Sequence, residues 1–519
     1  MESTSDAGTP MSAAAETLSV LKDIAERGKA GASGRAPEIA SIFIDSEARH
    51  ALSGATLVST NPSREIPAAN FSRGGREDVH AAAVSARRAL GGEWGGTAPQ
   101  RRGELLYALA DKLEESSELL ATLETLDVGK PLSQSRGDVA GAAATLRYNA
   151  GAADKMEGSS VPLGAEYLDF TEHEPLGATA HITPWNFPLG MAARSLGPAL
   201  AAGCTAVLKP AEQSPLTSLA FAALASEAGF PPGVLNVVTG LGDEAGAALV
   251  GHPMIDGVTF TGSVATGRIV GASAGRNLKP VVLELGGKNP LIVFADADMD
   301  RALDAAVEGA FDNSGQVCSS VSRLLLENGV KDEFLRKLVE RSRELTVGDG
   351  FEDPDLGPLV SPEQLEKVDG HIAQALESGA RALLGGGRPA GVSKGYFIEP
   401  TVFDNVDVNC RLAREETFGP VVSAFGFSGE AEALAIANSL PYGLAAGIHT
   451  SDIDRALRLA RRIEAGTVWI NGWFIGGVQA PTGGVKDSGY GRERGIAGIR
   501  NYIRIKNIGV HIADHCAGG

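Results

Sequence analysis

GATAHITPWNFPLGMAARSLGPALAAGCTAVLKPAE, residues 177–212, carries the fold in miniature. The short run at 178–182 reads as a strand, 191–202 as a helix and 205–209 as a second strand. A strand, a helix and a strand in succession imply a parallel pair joined by a crossover. The same alternation continues with strands at 234–239, 257–261 and 280–285, and with helices at 214–228, 243–251 and 263–275. A second succession runs from about 291 to 470, with strands at 291–294, 323–327, 421–427, 446–449 and 466–470. The fold class is therefore α/β, built on parallel sheets with crossover helices. Upstream, 76–94 and 98–127 have helical periodicity, with Leu105, Leu106, Leu109 and Leu113 on one face. Asp127-Val128-Gly129-Lys130-Pro131 is a helix stop, and 136–157 reads as another helix. Residues 1–35, rich in Ala, Ser, Gly and Glu, read as a mobile extension, although Leu18, Leu21 and Ile24 could share a short helical face.

Composition narrows the function classes. The 519 residues are 43 % hydrophobic and 21 % charged, with a net charge of −18. That balance fits a soluble globular protein and disfavours nucleic acid or an anionic membrane as partner. The four cysteines, Cys204, Cys318, Cys410 and Cys516, lack regular spacing. This argues against a disulfide scaffold and for a reducing compartment. No apolar run approaches the roughly 20 residues of a membrane helix. The N-terminus has neither a basic nor an apolar segment of a secretory signal. A cytoplasmic location is expected.

Chemistry-bearing residues fall at strand ends. Asn186, between Pro184 and Pro188, follows the strand at 178–182, where an Asn side-chain N–H could stabilise an oxyanion. Lys209 and Glu212 follow the next strand and suit two ribose hydroxyls. The stretch 260–267 opens a helix, whose free N–H groups suit a pyrophosphate. Glu284, a carboxylate in an apolar run beside glycines, is a candidate general base. Glu415-Glu416 precede a rigid turn and could contact a ribose. Cys318, among small and amide-bearing residues, is a candidate nucleophile.

Taken in order, TPWNFP (183–188), LKPAE (208–212), FTGSVATG (260–267), LELGGK (283–288), NSGQVCSS (313–320), EETFGP (415–420) and PTGGVKDSGYGRERG (481–495) closely resemble the aldehyde dehydrogenase superfamily from about residue 40 to residue 510. The resemblance implies two Rossmann-like parallel-sheet domains with a small β oligomerisation element. The cofactor domain would be 36–152 with 176–285, the catalytic domain 286–485, and the bridging element 153–175 with 486–519. It implies NAD-dependent oxidation of an aldehyde to an acid through a thiohemiacetal and a thioester on Cys318. Asn186 and the Cys318 backbone N–H would form the oxyanion hole, and Glu284 would activate the deacylating water. Trp185, Lys209, Glu212, Gly242, Thr261, Gly262, Ser263, Glu416 and Phe418 would bind the cofactor. A carboxylate at Glu212 would repel a 2′-phosphate and favours NAD, with NADP left open by the adjacent Lys209. A hairpin at 158–175 and a strand near 501–510 would present edges to another copy, giving a homodimer or homotetramer.

The departures bear on substrate. Arg194 stands where many members place an aromatic residue in the aldehyde tunnel, and semialdehyde dehydrogenases of the succinate type also have arginine there. It points to an anionic semialdehyde. An arginine turned to an internal acid remains the alternative. The residues after Cys318 are closer to those of enzymes of varied amine-derived and alicyclic aldehydes, so neutral aldehydes remain a second class. Phe187, Trp473 and Phe474 are candidates for the tunnel wall. Thr482 replaces the Phe of the usual P-F-G-G motif. Glu284 argues against a CoA-acylating relative, and the retained Cys318, Asn186 and Glu284 argue against a non-catalytic homologue. No metal site is expected, since His511, Asp514, His515 and Cys516 match no zinc spacing.

Overall fold

The computed structural model describes residues 11–32 and 34–512. Asp514, His515 and Cys516, and the end of the bridging segment expected over 486–519, lie outside the described residues.

The strands Ala178–Ile182, Thr205–Lys209 and Leu235–Val238 are buried along their whole length. Apolar runs covered on both faces are what a central parallel sheet requires. These three strands pair in sequence order, linked by helices Pro188–Ala202 and Leu216–Glu227. The chain then crosses back. Gly257–Gly262 pairs with the other edge of Ala178–Ile182, and Val281–Leu285 lies beyond it. Strand order therefore reverses between Ala178–Ile182 and Gly257–Gly262. That reversal opens a crevice at the strands' carboxyl ends, where α/β sheets hold ligands. Antiparallel strands Ile42–Ile44 and Glu47–Arg49 complete one side of this eight-stranded sheet.

The second sheet has seven strands and centres on Asn289–Val293, Val321–Glu327 and Ala445–His449. All its pairings are parallel except that of Arg381–Leu384 with Thr401–Asp404. A third, antiparallel sheet joins Ile503–His511 to Tyr167–Pro175 and Ser160–Val161. Leu168, Ile505 and Val510 are exposed on it.

Four features differ from the sequence reading. The extension expected over 1–35 contains a helix, Ala13–Lys29, capped by Ser12 and packed against Leu216–Glu227 and Ser117–Val128. Leu21 and Ile24 are fully buried there, which supplies the apolar anchor a mobile tail lacks. The single helix expected over 98–127 is two, Pro99–Glu115 and Ser117–Val128. Ser116 leaves helical geometry, and its carbonyl starts the second helix by accepting from Leu120 N. Gly489–Tyr490, inside the expected bridging segment, returns to the first sheet as a partner of Val281–Leu285. A further sheet of Glu38–Ile39, Ile66–Ser72 and Thr56–Asn61 has no counterpart in that reading. At the 127–131 stop, Gly129 is left-handed (φ 85°), and a side chain there would run into Pro358 and Pro62.

Candidate active site

Cys318 is placed by an unusual turn. Asn313, Ser314 and Gly315 have φ of 46°, 56° and 69°, a left-handed run after helix Met299–Phe311. A Cβ on Gly315 would strike the Gly419 carbonyl, so the tightest point of the turn needs glycine. Side chains then lock the loop. Asn289 Nδ2 donates to Cys318 O and Ser320 O, both at 2.9 Å, and Trp473 Nε1 donates to Ser319 O at 3.2 Å. The Cys318 backbone N–H donates to no group of the described chain.

Asn186 is tied to the same loop from both sides. Its Nδ2 donates to Gln316 O at 2.8 Å, and Asn313 Nδ2 donates to Asn186 O at 3.0 Å. A carboxamide has two N–H groups, so one remains beside the Cys318 turn. Beneath lies a buried ion cluster. Lys130 Nζ is 2.5 Å from Asp138, 3.2 Å from Glu124 and 4.0 Å from the Phe187 ring centroid. Glu124 also accepts from Leu189 N at 3.3 Å.

Glu284, in strand Val281–Leu285, is buried, and its Oε1 has no hydrogen-bond partner. Burial, then the neighbouring Glu493, pushes its pKa up to about 8, and Arg194 opposes the rise. Burial pushes the Cys318 thiol up to about 11. Arg194 pulls it down, and Glu284 and Glu416 push it further up.

These groups share a cavity of about 430 Å³ lined by Cys318, Glu284, Phe187, Arg194, Phe474 and Arg494, among others. It is wide enough for a small organic substrate. Arg194 reaches it, but its guanidinium is already matched by Glu284, at 3.4 Å, and by the buried Glu493. The structure thus takes the internal-acid alternative for Arg194. Trp473 does not line the wall. It is buried behind Gly309 and Gly447, and Trp469 takes the wall position next to Phe474. Sequence reasoning missed Trp469, Glu493 and Arg494. The GRERG stretch contained the last two, but nothing in its pattern says which charges meet Glu284.

The candidate cofactor residues gather at the crevice. Lys209 Nζ is 3.2 Å from Glu212 Oε2. Burial lowers the Lys209 pKa, partly offset by that carboxylate. Gly242 opens the turn Gly242–Gly246, whose last glycine lies against Lys209 and Ile182. Thr261 and Gly262 end their strand, and Ser263 caps helix Val264–Arg276 by accepting from Thr266 N at 3.2 Å. Thr183 Oγ1, buried at the end of the central strand, has no partner. Toward Cys318, Gly287 N donates to Glu416 Oε1 at 3.0 Å, a Cβ on Gly286 would collide with that carboxylate, and the Phe418 ring meets Trp185 edge-on with centroids 5.2 Å apart. A glycine-lined crevice with a helix N-terminus, a paired Lys and Glu at one end and a carboxylate at the other fits an extended dinucleotide.

Known proteins of one family resemble this chain along most of its length. The profile of the Aldehyde dehydrogenase family matches residues 50–508. An aldehyde dehydrogenase of Aspergillus niger is 45 % identical over 475 residues, 91 % of this chain and 95 % of that protein. Human aldehyde dehydrogenase 1A1 is 44 % identical over 479 residues, 91 % of this chain and 95 % of its own length. Among solved structures, betaine aldehyde dehydrogenase from Staphylococcus aureus in complex with NAD+ has a TM-score of 0.90 at 40 % identity, covering 92 % of this chain and 96 % of that one. The NAD+ complex of aldehyde dehydrogenase from Bacillus cereus also has a TM-score of 0.90, at 42 % identity, covering 92 % and 97 %. With the profile spanning most of its length and relatives this close along nearly all of theirs, the chain belongs to the aldehyde dehydrogenase family.

Proposed function

We propose that the protein oxidises an aldehyde to the carboxylic acid with NAD as hydride acceptor and Cys318 as nucleophile. The observation that carries this reading is that Cys318 and Glu284 face one cavity, with Asn186 bonded to the Cys318 loop.

A thiol near 11 is protonated at neutral pH. Its proton must therefore pass to solvent in the cavity as Sγ attacks the aldehyde carbon. The new S–C bond turns the carbonyl oxygen into an alkoxide, which the spare Asn186 N–H and the Cys318 N–H hold. Lys209 and Glu212 would hold the adenine ribose, the Gly262–Ser263 turn the pyrophosphate, and Glu416 the second ribose, with Gly242, Thr261, Trp185 and Phe418 shaping the crevice. A dinucleotide held by these residues would supply the hydride acceptor, and loss of hydride from the adduct on Cys318 would leave a thioester there. Glu284 then takes a proton from water, which adds to the thioester. The S–C bond breaks, releasing the acid and a Cys318 thiolate, and the proton held by Glu284 restores the thiol. Glu284 Oε1, unpartnered and buried, is the acceptor suited to that proton.

Arg494, a cation in the wall with no acid partner among the described residues, favours an anionic semialdehyde. A second reading, oxidation of neutral aldehydes, is favoured by the apolar wall of Trp469, Phe474 and Ile475. The exposed apolar residues along Ile503–His511 and Tyr167–Pro175 suit pairing with a second copy in a homodimer or homotetramer. The test is NADH formation over a panel of aldehydes with NAD and with NADP. Absence of turnover with every aldehyde would remove the reading.

A further inference from the structure

The cavity is charged unevenly. Asp138 and Asp312 stand in its wall beside the Lys130 ammonium, and Glu124 completes that cluster. Burial raises Glu124 to about 8 and Asp312 to about 6, so Glu124 is largely neutral near neutral pH, but Asp138 and Asp312 still outnumber the single Lys130 ammonium. Around Glu284 the balance reverses. The Arg194 charge is matched by Glu493, and Glu284 near 8 is largely protonated. Arg492 spends its guanidinium on the carbonyls of Gly484 and Gly491. Both Arg492 and Arg494 lack an acid partner among the described residues, but of the two only Arg494 stands in the cavity wall with its donors free. Arg494 lines the cavity, and among the described residues its guanidinium has neither an ion pair nor a hydrogen bond. Its backbone is left-handed (φ 59°) at the start of helix Gly495–Arg500, which fixes the direction in which the side chain leaves. Burial lowers its pKa only to about 10, so it stays charged.

We propose that Arg494, rather than Arg194, is the residue that selects an aldehyde bearing a second, anionic group, by pairing with that group while the carbonyl lies at Cys318. This rests on the oxidative reading above. A planar guanidinium without an acid partner accepts a carboxylate in two parallel hydrogen bonds, and the negative Asp138–Asp312 region turns the anion toward Arg494. Arg194 cannot take that role without giving up Glu493 and Glu284.

The test compares kcat/KM for two matched pairs, 4-oxobutanoate against butanal and 4-formylbenzoate against benzaldehyde, in the native enzyme, Arg494→Gln and Arg494→Lys. The expected result is a native preference for at least one acid over its neutral partner. That ratio should fall about tenfold or more in Arg494→Gln, mainly through KM, and recover partly in Arg494→Lys. Far-UV spectra and thermal melting establish that each variant is folded. A native ratio at or below one for both pairs, or a ratio unmoved by Arg494→Gln, overturns the assignment of Arg494 and leaves the oxidative reading standing. Absence of NADH from all four aldehydes overturns both.

Discussion

Arg194 Nη2 lies 3.4 Å from Glu284 Oε2, and the same guanidinium is paired through Nε with Glu493. A cation that looks from sequence like a substrate clamp is instead an electrostatic neighbour of the candidate base. The charge on Arg194 acts to lower the Glu284 pKa, and the charge on Glu493 acts to raise it.

The pH dependence should follow those signs. Glu284 works as the ionised base, so the rate rises as pH passes its pKa, about 8. Arg194→Met removes a stabiliser of the carboxylate and should move the acidic limb of the kcat profile upward by about one unit. Glu493→Gln removes a repelling charge and should move it downward. Limbs that coincide in all three proteins would separate Arg194 and Glu493 from the base.

Glu284→Gln should lower steady-state turnover by about 10²–10⁴-fold while preserving a rapid burst of NADH, because the base is needed only after hydride has left. Stopped-flow absorbance reads both phases. Loss of the burst along with the steady rate would place Glu284 before hydride transfer.

Asn186→Ala should cost about 10²–10³-fold in kcat, the usual effect of removing one oxyanion donor. It also breaks the bond to Gln316 O. Asn186→Asp is therefore a useful companion. It keeps the size of the side chain and removes the donor, and should be at least as slow by steady-state kinetics.

Much of this was legible in sequence because its causes are local. The strands Ala178–Ile182 and Thr205–Lys209 fall where their apolar runs put them. The stop at Gly129 is a left-handed residue with no room for a side chain. What was not legible depends on distant packing. The burial of Ala13–Lys29 is decided by Leu216–Glu227 and Ser117–Val128, about 90 to 200 residues away. Trp469 and Trp473 are four residues apart in adjoining segments, yet only the first reaches the cavity. Arg194 and Arg494 look alike on paper. Their difference is whether Glu493 folds back onto them.

Glu212→Gln should weaken discrimination against NADP. The carboxylate would stand beside the 2′ position of the adenine ribose, and removing its charge should raise kcat/KM with NADP relative to NAD by about tenfold. An unchanged cofactor ratio would place Glu212 away from the ribose.

Lys130→Met should destabilise the protein by about 3–5 kcal/mol, since it leaves Glu124 and Asp138 without their buried cation. Urea unfolding followed by tryptophan fluorescence measures it. The double variant Lys130→Met/Glu124→Gln should recover part of the loss, because one of the two uncompensated carboxylates is gone.

The most direct test of the central claim is intact-protein and peptide mass spectrometry of Glu284→Gln quenched in acid after mixing with aldehyde and NAD. The account predicts an adduct equal to the aldehyde less two hydrogens, a thioester, on the peptide containing Cys318. It should be absent without NAD and absent in Cys318→Ala. NADH formation with no such adduct, or with the adduct on Cys204 or Cys410, would contradict it.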